Sequence, residues 1–124
     1  MAKTALVDKY LNDGRMLVSA LDRDGFLIDT AMWFYSDELG EWQLIVATPL
    51  VDQLGLRETL RRVRSIIGNL TSISLSLSDI SLLSPNNNLI NAIKTTVRRS
   101  KDVTLKGTVT NGILVNDAYI YCVA

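Results

Sequence analysis

Hydrophobic and polar positions along the chain follow two different periods, and the changes between them divide it into elements. Over residues 4–22, Leu6, Val7, Tyr10, Leu11, Leu17, Val18 and Leu21 recur at helical spacing, with Asp, Lys, Asn and Arg opposite. Gly14 weakens that helix by about 1 kcal/mol relative to Ala, so it marks either a close crossing with another element or a break. Gly25 stands just beyond the helix, where a positive φ is needed. Residues 27–36 alternate with a period of two. Ile28, Thr30, Met32 and Phe34 take one side; Leu27, Asp29, Ala31, Trp33 and Tyr35 take the other. Asp37-Glu38-Leu39-Gly40 predicts a hairpin loop. Residues 42–48 return as a strand, with Trp42, Leu44, Val46 and Thr48 against Gln43, Ile45 and Ala47, and Pro49 ends the pairing.

The second half continues in the same way. Leu56, Leu60, Val63 and Ile67 predict a helix over 56–69. Residues 72–78 alternate Ile73, Leu75 and Leu77 with four serines, the pattern of a half-buried strand. Ser84-Pro85 predicts a helix start, serine as cap and proline at the first position, with Leu89, Ile90, Ile93 and Val97 inward and an end near Arg99. Two strands close the chain, at 103–110 and 117–123. Asn111-Gly112 is the strongest two-residue turn signal, and Asn116-Asp117 offers a second corner. The expected fold is a single α+β domain over 1–124 of order αββαβαββ. Its five-stranded sheet is largely antiparallel, with helices mainly on one face.

Composition narrows the chemistry. The chain has 124 residues, 48% of them hydrophobic, enough for a real core without cross-links. It contains no His, which removes Ser-His-Asp and Cys-His catalysis and the HExxH zinc sites. The single Cys, Cys122, forms neither an internal disulfide nor a four-cysteine metal site. No signal-peptide pattern and no membrane-length apolar run are seen, so a cytoplasmic location is expected, with no membrane partner. The P-loop and G-x-G-x-x-G fingerprints are absent, and no cofactor or structural metal is expected. The chain is therefore expected not to be an enzyme.

Thirteen basic and thirteen acidic residues cancel, but unevenly. Residues 1–56 hold four basic and nine acidic groups, a net of −5; residues 57–124 hold nine and four, a net of +5. The sharpest feature of the basic half is Arg57, Arg61 and Arg64 at i, i+4 and i+7 on the second predicted helix, with Arg62 beside them. Glu58 is placed to pair with Arg62 at i+4. The remaining arginines fit three roles: a solvated face, pairing with acidic residues within the chain or across a dimer, or contact with phosphate. Arg98, Arg99 and Lys101 crowd the end of the third helix, where its dipole favours cations. A pI near 6.2 argues against nucleic acid as the main partner.

Trp33, Phe34, Tyr35 and Trp42 belong to the predicted hairpin, and Tyr119 and Tyr121 to the last strand. If Trp33, Tyr35, Tyr119 and Tyr121 share a sheet face, they form either a stacking platform for single-stranded nucleic acid or a core or protein contact. No RNA-binding consensus is present, which favours the second. The acidic residues offer less. Asp22-x-Asp24-Gly25 fails the calcium-loop template, since its first and last ligand positions fall on Ala20 and Ala31. Asp37, Glu38 and Glu41 sit on a hairpin tip, where polar residues are ordinary. A carboxylate–metal hydrolase drawing on Asp22, Asp24, Asp29 or Glu41 is the weakest alternative. The helix, aromatic hairpin, Ser-Pro-Asn-Asn segment and closing DAYIYCV strand look like a small bacterial accessory domain, a likeness that transfers no function. The sequence thus points to a non-enzymatic interaction domain, expected to form a homodimer or to meet another protein. Nucleic-acid binding through 57–64 and 98–101 is the alternative.

Overall fold

The computed structural model describes residues 8–36, 40–70, 73–97, 101–110 and 113–123. Helix α1 spans Asp8–Arg23, strands β1 and β2 span Thr30–Ser36 and Glu41–Ala47, and helices α2 and α3 span Leu50–Leu54 and Leu56–Gly68. A 3₁₀ turn at Leu77–Asp79 leads into β3, Ile80–Leu83. Helix α4 is Asn88–Thr96, and β4, Lys101–Thr110, and β5, Ile113–Val123, complete the chain.

These form one mixed five-stranded sheet in the order β3-β2-β1-β5-β4. β1 pairs antiparallel with both β2 and β5, and β4 pairs antiparallel with β5, whereas β2 and β3 are parallel. The sheet is thus mixed, with three antiparallel pairs and one parallel, and the expected element order αββαβαββ is changed by a fourth helix. The Ser-rich segment 72–78 is not a strand: Thr71 and Ser72 lie outside the described residues, 73–76 is irregular, and the strand begins at Ile80. Its alternation is nevertheless real, because Leu75 is buried while Ser74 and Ser76 are exposed as the segment returns from α3. The buried Asp13 carboxylate of α1 accepts the Ser74 N–H at 2.9 Å. That bond engages a backbone donor that a sheet ladder would otherwise have taken.

The helices also differ from expectation, because they cover both faces. On one face Leu17 and Leu21 of α1 and Val63 and Ile66 of α3 pack on Ala31, Trp33, Leu44, Val46, Ile80, Leu82 and Tyr121. On the other, Ile90 and Ile93 of α4, with Val97 just beyond it, pack on Met32, Ile45, Ala47, Ala118, Ile120 and Val123. The fourth helix, α2, was not expected. Gly55, at φ 86°, breaks the segment after Leu54 and lets α3 start in a new direction. The buried Thr59 hydroxyl joins the two pieces, 3.1 Å from the Leu50 carbonyl and 2.8 Å from that of Gly55.

Local chemistry explains where elements stop. After α1, Phe26 N–H reaches the Leu21 carbonyl at 3.0 Å and Gly25 N–H that of Asp22 at 3.2 Å, with Gly25 at φ 91°. That is a Schellman cap, and Phe26 and Leu21 share one core cluster. α4 starts later than Ser84-Pro85. Its cap is Asn87, whose side chain accepts the Leu89 N–H at 2.8 Å, while Ser84 holds a preceding turn by accepting from Asn86 N–H. Thr110 stands opposite Ile113, so β4 and β5 are joined across Asn111-Gly112, which lie outside the described residues. The second corner at Asn116-Asp117 is overturned, since β5 runs straight through it.

Candidate interaction surfaces

The aromatic set is built by β1, β2 and β5. Trp33 stands opposite Tyr119 and Tyr35 opposite Trp42. The register between β1 and β5 shifts at Ala31/Met32, so Tyr121 is the extra residue of a β-bulge. Strict alternation would send Tyr121 and Cys122 to opposite faces. The bulge places both on the α1 side, leaving Ile120 and Val123 on the α4 side. Trp33 Nε1–H donates to the Tyr121 hydroxyl at 2.9 Å, which donates to the Leu11 carbonyl of α1 at 2.6 Å. Burial pushes the Tyr121 hydroxyl well above the ordinary tyrosine range, so it stays protonated. The Tyr10 ring packs 5.9 Å from Trp33, centroid to centroid.

This close approach is possible because position 14 is glycine. A Cβ there would lie 2.6 Å from Trp33 Nε1 and would also collide with the Tyr121 hydroxyl oxygen. Of the two roles open to Gly14, the close crossing is the one realised. Of the two readings open to this set, Trp33, Tyr35 and Tyr121 take the core one. Trp33, Tyr35 and Tyr121 are buried within the chain, and α1 crosses directly over the Trp33–Tyr121 pair. No open stacking platform exists there. Trp42 and Tyr119 remain half-buried.

Above the bulge lies a polar cluster that the sequence did not reveal. Arg15 of α1 donates to the Asp102 carboxylate at 3.1 Å and to the Tyr119 hydroxyl at 3.3 Å, and Tyr119 donates to the same Asp102 oxygen at 3.1 Å. The guanidinium sits 5.5 Å from the Tyr121 ring centroid. The hydrogen bond with Tyr119, followed by Asp102, raises the Arg15 pKa further. Asp102 adopts φ 53°, a left-handed conformation that Asp tolerates better than most residues. With Arg15 and Asp102 both about half exposed, this pair adds at most about 1 kcal/mol.

The arginine set lies on α3, whose buried seam is Thr59, Val63 and Ile66. Arg57, Arg61, Arg62 and Arg64 are all exposed. Arg61 meets Glu58 at 3.3 Å, so the expected Glu58–Arg62 pair is replaced by the i,i+3 pair. Among the described residues, Arg57, Arg62 and Arg64 have no carboxylate partner. Leu54 and Leu56, at the α2–α3 break, are 38% and 49% exposed and give this cationic face an apolar shoulder. Arg98 and Arg99 lie outside the described residues. Pairing between the acidic and basic halves occurs at Lys94–Asp29, 2.7 Å apart, which ties α4 to the loop before β1.

The carboxylates do not converge. Asp29 is engaged by Lys94, Glu41 accepts from Gln43 at 3.0 Å, and Asp22 and Asp24 are exposed at the end of α1. Asp37 and Glu38 lie outside the described residues. Among the described residues no group of three or more metal-ligating side chains is arranged to hold an ion, and no helix is long and apolar enough to cross a membrane. Comparison with protein-family models, curated proteins and solved structures finds no match.

Proposed function

We propose that the chain is a non-enzymatic interaction domain that self-associates as a dimer and offers the arginine face of α3 to an acidic protein partner. The observation that carries this reading is the α3 surface. Four exposed arginines share one helix with a single carboxylate, beside two exposed leucines. Guanidinium groups engage carboxylates through paired, directional hydrogen bonds, and an apolar shoulder supplies area that a purely charged contact lacks. Self-association is supported by the formal net charge of zero, which removes the long-range repulsion that keeps strongly charged proteins apart.

Fluorescence anisotropy with a labelled poly-glutamate peptide tests the partner. Binding at low salt is expected, and it is lost in Arg57→Glu/Arg64→Glu. Because both positions are exposed, each change shifts stability by no more than about 0.5 kcal/mol, so the double variant stays within about 1 kcal/mol of the parent. No binding of the peptide overturns the reading. If a labelled oligonucleotide binds instead, with affinity falling steeply as salt rises, nucleic acid takes the partner's place.

A further inference from the structure

The two edges of the sheet are built differently. β3 is four residues long and is followed at once by Ser84-Pro85. β4 is ten residues long, and among the described residues no strand lies on its outer side. Beyond the left-handed Asp102, the extended part from Val103 to Thr110 gives roughly 26 Å of edge backbone at about 3.3 Å per residue. Every second N–H and C=O along it points away from the sheet.

The far part of this edge belongs to a ribbon. Among the described residues β5 pairs with β1 from Ala118 to Val123, whereas β4–β5 pairing continues to Thr110 opposite Ile113. β1 itself ends at Ser36, level with residue 116, so it is residues 108–110 and 113–115 that run past β1 as a two-stranded ribbon. An isolated two-stranded ribbon is marginal in water and gains stability from a third strand. The edge carries few of the devices that keep monomeric sheets apart. Beyond Lys101 and Asp102 at its start, residues 103–110 contain no proline and one charge, Lys106, and five of the eight are Thr or Val.

Resting on the self-association proposed above, we infer that β4 is its interface. A second copy of this chain pairs antiparallel along the outer edge of β4, making one continuous sheet across a two-fold axis. The occupant is a second copy because an antiparallel edge is complementary to itself. A two-fold axis normal to the sheet sets each row of outward donors and acceptors against the same row reversed. The pairing also gives the ribbon its third strand.

The test combines sedimentation equilibrium with single cysteines placed in turn at each position from 103 to 110, in a Cys122→Ser background. In a two-fold antiparallel pair only residues at the axis meet their own counterparts within the Cα separation a disulfide requires, about 4.4–6.8 Å. A dimer with cross-linking that peaks at one or two adjacent positions is the expected result. A dimer that cross-links at none of them, or equally at all, overturns the edge assignment and leaves self-association standing. A monomer at high micromolar concentration overturns both. Amide exchange on the unaltered chain gives an independent reading. Alternate β4 amides become more protected as concentration rises, and protection independent of concentration refutes the interface.

Discussion

Replacing Gly14 with alanine is the most direct test of how α1 is seated. On an isolated helix this change stabilises by about 1 kcal/mol, because alanine loses less backbone freedom on folding. Here the added methyl would stand 2.6 Å from Trp33 Nε1 and 3.2 Å from Tyr121 Cε2, and inside contact distance of the Tyr121 oxygen. Neither ring can swing away cheaply. Trp33 is 2% exposed, and the Tyr121 hydroxyl is held at both ends, by Trp33 and by the Leu11 carbonyl. Overpacking of this kind costs about 1–3 kcal/mol, and loosening one buried hydrogen bond costs about 1 kcal/mol more. After the helix-propensity gain is subtracted, Gly14→Ala is expected to destabilise by about 1–3 kcal/mol. Urea denaturation followed by Trp fluorescence reads this directly. Gly68→Ala is the internal control, because a Cβ at the end of α3 meets nothing within 4 Å. That variant should be neutral or slightly stabilised. If Gly14→Ala is as stable as the parent, the crossing is looser than described and the reasoning fails.

Other consequences follow from the same packing. Asp13→Ala removes the buried acceptor of the Ser74 N–H and should cost about 1.5–3 kcal/mol, with Asp13→Asn costing less; equal urea midpoints for all three chains would contradict this. Tyr121→Phe leaves the Trp33 N–H without its acceptor and should cost about 1–3 kcal/mol at neutral pH. The Tyr121 pKa is raised by burial, so its contribution is fully present below about pH 10, where the unfolded tyrosine begins to ionise. Above that pH the unfolded state releases a proton that the folded state keeps, and stability falls by up to about 1.4 kcal/mol per pH unit. Denaturation midpoints at successive alkaline pH values should show a shallower decline in Tyr121→Phe than in the parent chain; identical slopes would refute the buried-hydroxyl account.

Much of the architecture is local and is therefore written in the order of residues. The Schellman cap at Gly25, the hairpin of β1 and β2 with Gly40 at φ 65°, and the inward faces of β2 and α4 follow from periodicity and turn chemistry. The α2–α3 break had a signal as well, proline before it and Gly55 within it, although the segment is too short for periodicity to reveal a helix. Ile73, Leu75 and Leu77 read as a strand because alternating burial is all that sequence reports. Whether such a segment joins a ladder depends on whether another group takes its backbone donors, and here the Asp13 carboxylate takes one of them.

Residue order specifies a run of amphipathic segments, the absence of imidazole chemistry and an arginine-bearing helix. Which surfaces remain on the outside depends on how those segments pack. The tertiary structure buried Trp33 and Tyr121 beneath α1, through a bulge that no alternation pattern encodes. It joined Arg15 to Asp102 across 87 positions of chain, left the α3 arginines facing outward, and carried β4 and β5 past the end of β1. The physical reason is the same in each case. Periodicity specifies which face of an element avoids water, but the neighbour that covers that face is chosen by register and crossing, and those are set between segments far apart in the chain.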